Sequence, residues 1–247
     1  MRVEYAELSL QGGRENNQDR VGIVVFEEAA LLIACDGMGG HADGERAAEI
    51  AQRTVLDRFR HAPQPLLDPL GFLHLGLGAA HDAVVAAGVH VPMDLRPRAT
   101  VAVCIVQQGS AYWAHVGDSR VYHLRRGQVL ERTRDHSHVE LLVREGLISD
   151  GQMQNHPMRN FVESCLGGEP MLPEMAISPR RELQRDDVLL VCTDGFWAHL
   201  DDALIGSAFV TFGLSLRDTL TKLAAQALLN AGAASDNASV GALRFLE

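Results

Sequence analysis

Short unbroken apolar runs alternate along this chain with longer stretches in which apolar residues recur every third or fourth position. The runs predict β-strands at residues 2–10, 20–26, 30–35, 100–107, 111–116, 120–124, 188–192 and 238–245. Glycine-bearing joints, "QQGS" between the fourth and fifth runs and "RRGQ" after the sixth, have hairpin chemistry, so neighbouring strands are expected to be antiparallel. The helical period appears in "GERAAEIAQRTVLDRF", which sets Ala47, Ile50, Ala51, Val55 and Phe59 on one face with charges opposite. It appears again in "LHLGLGAAHDAVVAAG" and in "LRDTLTKLAAQALLNAG", both ending on glycine. "SHVELLVREG" opens on Ser137 with Glu140 three residues on, a capping box, and stops at Gly146.

Two long helices after the third strand, then hairpins, then another long helix before the last strand, is not a βαβα alternation. The order predicts an α+β fold, a four-layer α-β-β-α sandwich in which helices flank two packed, mostly antiparallel sheets. At 247 residues, with no linker-like stretch, the chain is read as a single domain, 1–247.

Several apolar runs deliver a carboxylate. "LLIACDGMGGH" ends on Asp36, "VLLVCTDGFW" on Asp194, and "AYWAHVGDSR" gives a looser version at Asp118. Asp19 and Asp236 stand just before strands, each after a polar, asparagine-bearing loop. Taken singly, Asp-Gly pairs read as turns and Asp19 and Asp236 as turn formers feeding a strand. If several acids meet, their repulsion is large: two like charges about 4 Å apart cost roughly 4 kcal/mol at an effective dielectric near 20. Hard divalent cations such as Mg²⁺ or Mn²⁺ are the economical way to offset it, and the histidines form no zinc pattern. A two-metal carboxylate site suits phosphate ester hydrolysis, and Arg14, five residues before Asp19, is a permanently charged partner for a phosphate.

Composition narrows the remaining choices. The chain is 47% hydrophobic and 22% charged, with a net charge of -10, which argues against a general nucleic-acid binder. No apolar run is read as long enough to span a bilayer and the start lacks a signal peptide, so a cytoplasmic protein without a membrane partner is expected. The four cysteines, Cys35, Cys104, Cys165 and Cys192, form no C-x-x-C pair, and none is followed six residues later by arginine, which excludes a cysteine-phosphatase loop. A P-loop is also missing. A monomer is expected because no apolar helix face stands out as unaccounted for.

The strings "GRENNQD", "DGMGGHADGE", "GDSR", "TRDHSHVELLVREGLI", "HPMRN", "CTDGFW" and "SDNASV" occur in the order found in type 2C, metal-dependent serine/threonine protein phosphatases, and the chain resembles a bacterial member. The resemblance covers nearly the whole length, from about Gly13 to the last strand. It implies a binuclear Mn²⁺ or Mg²⁺ centre with Asp36 bridging, the Gly37 carbonyl on one ion, and Asp194 and Asp236 on the other. Asp118 would share a third, weaker ion with Asp194, and Asp19 would order water. Arg14 would bind the phosphate. His41, by its place beside the acids, is read as the group that protonates the leaving oxygen, with ordering of its loop as the alternative. The implied reaction is a single in-line attack by metal-bridging hydroxide, without a phosphoenzyme, on phosphorylated protein substrates, reversing a cognate serine/threonine kinase. Residues 133–170 would form a flap beside the cleft.

Some positions depart from the family pattern. Arg98 and Ala99 stand where bacterial relatives carry small or polar residues, Gln18 where many eukaryotic relatives have glutamate, Met38 where some members have histidine, and Asp43 where glycine is common. The alternative reading is a pseudophosphatase, a phosphoprotein-binding module of the same fold; intact Asp36, Asp194 and Asp236 count against it.

Overall fold

The computed structural model of the protein describes residues 1–38, 42–153, 156–210 and 214–247. In chain order its strands are β1 (Val3–Leu10), β2 (Arg20–Val25), β3 (Ala29–Cys35), β4 (Gly37–Met38), β5 (Arg98–Ala99), β6 (Val101–Gln107), β7 (Ser110–Val116), β8 (Arg120–Arg125), β9 (Gln128–Arg132), β10 (Leu166–Gly167), β11 (Ala176–Ile177), β12 (Arg181–Glu182), β13 (Val188–Cys192) and β14 (Ala238–Phe245). The helices are α1 (Ala42–His61), α2 (Pro69–Ala87), α3 (His138–Arg144), α4 (Asp150–Met153), α5 (Asp194–Trp197), α6 (Asp202–Ala208) and α7 (Leu216–Ala231). Every strand expected from the apolar runs forms, with ends displaced by no more than one residue. The two hairpin joints place Gln108 and Gly109, and Arg126 and Gly127, at positive φ, as the tight turns that suit twisted strands require.

One sheet has the order β1-β14-β13-β8-β9 and the other β11-β7-β6-β3-β2, with β12 also on β7; the pairings are antiparallel. Leu32, Cys104 and Trp113 meet Val121, Leu189 and Leu243 between the sheets. The other side of β3, with Leu31 and Ile33, packs on Phe59, Leu73 and Leu77 of α1 and α2. On the far sheet, Leu190 and Val240 pack on Phe196, Leu216 and Leu220 of α5 and α7. Four layers result, as the order of elements predicts. β3 is buried at every position, so its sequence shows no polar alternation.

One expectation needs correction at α2. Its 19 residues reach a mean hydropathy of 1.4 and are long and apolar enough to span a bilayer by length and composition, contrary to the sequence reading. Here Leu73, Leu77, Ala80 and Val84 bury one face in the core. Leu70 and Leu75 remain exposed on it beside His74 and Asp82, so its outer side mixes apolar and polar residues.

A buried ion cluster fastens β8 to the turn before β13. The Asp187 carboxylate, fully buried, accepts hydrogen bonds from His123 Nε2 at 2.9 Å and from Arg125 Nε and Nη2 at 2.7 and 2.6 Å. Asp187→Ala strands both partners and is expected to cost about 3–5 kcal/mol of unfolding free energy. Urea unfolding checks it; a midpoint unchanged by the substitution contradicts this role.

Candidate metal centre

The sheet register brings the acids together. Arg20 pairs with Cys35, so Asp19 and Asp36 lie at adjoining ends of β2 and β3. Cys192 pairs with Val240 and with Arg120, and Val101 with Val116, which sets Asp194, Asp236 and Asp118 at the same end of the sandwich. Gly37 and Gly195 explain the Asp-Gly pairs. A Cβ on Gly37 would lie 2.2 Å from the Gly44 carbonyl oxygen, and one on Gly195 only 2.0 Å from that of Asn237. Any side chain at either position would push the aspartate before it out of place.

Asp36, Asp118, Asp194 and Asp236 line one cleft of about 570 Å³, together with Arg14, Gly37, Asn160 and Val162. Asp19 stands behind it, with Oδ2 accepting from Thr193 Oγ1 at 2.7 Å. Thr100 Oγ1, hydrogen-bonded to Ser119 Oγ at 2.7 Å, faces the Asp36 backbone, and the Thr100 amide donates to the Asp36 carbonyl at 2.9 Å. Asn237 ties the Asp236 end to the first loop, donating to the Gln11 and Asn16 carbonyls at 2.7 and 3.0 Å. Thr193, Ser239, Asn237 and Thr100 escaped the sequence reading. Their only signal is adjacency to an acid or to a strand start.

The protein alone cannot hold all these charges. Burial first, then the charges of Asp19, Asp194, Asp118 and Asp236, push the Asp36 carboxyl well up. Burial, then Asp194 and Asp135, does the same to Asp118. Asp19 is pushed up to about 8 by burial, against hydrogen bonds from Thr193 and Ser239. Asp194 is pushed up to about 6 by burial and Asp236, against a hydrogen bond with Asp36. Among the described residues, Oδ1 of Asp19, Asp118 and Asp194 is buried without a hydrogen-bond partner. Orphaned carboxylate oxygens in a strained acidic cluster are the donor set of a hard divalent cation, so these residues fit one.

Two contacts stand where such an ion would bind. Arg14 Nη2 donates to Asp236 Oδ2 at 2.6 Å, and Asp36 is hydrogen-bonded to Asp194. Accordingly, among the described residues no three such side chains close into a ready-made ion cage. Arg14 thus meets Asp236 at the mouth of the cleft and is more than half exposed, its side chain at 58%. His41 lies outside the described residues.

Asp118 is not paired with Arg120 two residues on. Arg120 is buried and instead grips Asp135 with Nε and Nη2, both at 2.7 Å. Its guanidinium lies 3.2 Å from the Trp197 ring centroid, and Trp197 Nε1 donates to the Asp118 carbonyl at 3.0 Å. One arginine therefore joins the strand behind Asp118, the helix after Asp194 and the start of the 133–170 segment. That segment is closed at its base by hydrogen bonds from the His138 amide to the Phe161 carbonyl at 3.0 Å and from the Glu163 amide to the His136 carbonyl at 2.7 Å.

A family model, protein phosphatase 2C, matches residues 10–231. Among curated relatives, the serine/threonine protein phosphatase PstP of Mycobacterium tuberculosis is 34% identical over 207 residues; the match takes in 82% of this chain but only 38% of that protein. The serine/threonine phosphatase stp of Listeria innocua is 33% identical over 200 residues, 77% of each chain. Among solved structures, the catalytic domain of PstP in complex with two manganese ions superposes with a TM-score of 0.83 at 28% identity, over 99% of each chain. Gathered aspartates and a match running through most of its length agree: the chain belongs to the protein phosphatase 2C family.

Proposed function

We propose that this chain is a divalent-metal-dependent serine/threonine phosphoprotein phosphatase. One observation carries the reading: acids from five strand ends meet in and behind a single cleft, three of them with buried, unpartnered oxygens. The names of the relatives support it.

In this proposal Asp36, Asp194 and Asp236, with the Gly37 carbonyl, would hold two Mn²⁺ or Mg²⁺ ions, and Asp118 with Asp194 would hold a third, weaker one. Bound there, divalent cations would lower the pKa of a water and draw charge from phosphoryl oxygens. Asp19, fixed through Oδ2 by Thr193, would use its unpartnered Oδ1 to orient such a water. Arg14 gives up Asp236 for the substrate, its planar fork meeting two phosphate oxygens, which leaves the Asp236 carboxylate to a cation. His41 delivers the proton to the departing seryl or threonyl oxygen. Every group in this scheme belongs to one chain, so a monomer suffices. The 133–170 segment serves as a flap, and the natural substrates are cytoplasmic proteins marked by a serine/threonine kinase.

The test is release of phosphate from a phosphothreonine peptide. Turnover is expected only with added Mn²⁺ or Mg²⁺, to vanish in EDTA and to return when the ion is restored. Full turnover in EDTA sinks the proposal.

A further inference from the structure

Beside the metal cleft runs a larger groove of about 1120 Å³, between β7, α3 and the loop 169–174. The two are continuous: Met38, Asn160 and Val162 line both. Leu141, Phe161, Leu172 and Pro173 give the groove apolar walls. His115 forms part of its lining at 3% exposure; Nε2 is 2.7 Å from the Arg134 carbonyl and donates to it, so Nδ1 is an acceptor with no partner. A channel continuous with the metal cleft and apolar along its sides suits an extended polypeptide.

The charges of the groove decide which chain. Most are already spent: Arg134 bonds Glu140 at 3.5 Å, Glu163 bonds His138 at 2.9 Å, and Arg98 donates to the Met93 carbonyl at 3.1 Å. Glu169 and Glu174 are different. Both are exposed, both lie on the loop 169–174, and among the described residues neither has an ion pair or hydrogen-bond partner for its carboxylate. Arg144, the remaining cation, comes from α3, a separate part of the lining.

We infer that this groove seats the polypeptide flanking the phosphorylated residue, and that Glu169 and Glu174 select a basic side chain in that flank. The inference rests on the phosphatase reading above and adds a substrate preference to it. The protein as a whole carries a net charge of -10, so long-range attraction favours such substrates as well; the local pair fixes where the basic side chain goes.

The experiment compares two phosphothreonine peptides that differ only in carrying lysines or glutamates in the flank, at low ionic strength. The lysine peptide is expected to be the better substrate by about fivefold in kcat/KM, the difference lying in KM and shrinking with added salt. In the double variant E169K/E174K the ratio should fall below one, and in E169Q/E174Q it should approach one. The ratio within one variant cancels any loss of folded protein. A wild-type ratio near one, or the same ratio in all three proteins, overturns the inference. Anisotropy of fluorescein-labelled forms of the peptides ranks their binding without turnover. Ranked binding with no hydrolysis of either peptide or of an aryl phosphate would sink the phosphatase reading alone and uphold the groove.

Discussion

Asp194→Asn is expected to lower turnover of a phosphothreonine peptide by roughly a thousandfold, about 4 kcal/mol of transition-state stabilisation. Asp36→Asn should do the same, because each removes a charge that the cations need while leaving the side chain's volume intact. The same substitutions should raise the melting temperature in EDTA. Asp36 and Asp194 are both half-buried at the cleft, share a hydrogen bond, and have their carboxyls pushed up by desolvation and by neighbouring acids. Replacing either by a neutral amide relieves that repulsion. A stabilised, inactive variant is the signature of a residue kept for function at the expense of the fold. An Asp194→Asn protein with undiminished turnover contradicts the assignment.

The second large effect is on stability against pH. The ordinary carboxyl value is 3.8, while Asp19 is pushed up to about 8 and Asp194 to about 6, burial being the first cause for each. Between these limits the folded protein binds more protons than the unfolded chain. Stability in chelator is therefore fully present below pH 4 as far as these groups are concerned, and falls as pH rises through the window toward 8. Melting in EDTA should be several degrees lower at pH 8 than at pH 5, and added Mn²⁺ should restore most of the difference at pH 8. A chelated protein whose melting is flat or rises over that range would show that the cluster is not a strained acidic one.

Much of this was legible in the residues, for physical reasons. The strands and the long helices announce themselves because apolar runs and the 3.6-residue period report burial directly. The acids at the ends of β3 and β13 are readable because a glycine must follow wherever another backbone passes as closely as the Gly44 and Asn237 carbonyls do. What stayed hidden depends on tertiary contact. The two-residue strands β4 and β5 have no period, and β9 is an edge strand carrying Glu131 and Arg132. The Arg120–Asp135 pair could not be read from the chain, because the two residues lie fifteen positions apart and meet only once the segment after β9 folds back over β8.

The central claim is that acids distant in sequence share divalent cations at one end of the sandwich. Anomalous diffraction at the manganese edge, from crystals grown with Mn²⁺, tests it most directly. The account predicts two strong peaks in the cleft, within bonding distance of Asp36, Asp194 and Asp236, with Arg14 released from Asp236. Crystals with no peak among these carboxylates, and Arg14 still bound to Asp236, would contradict it.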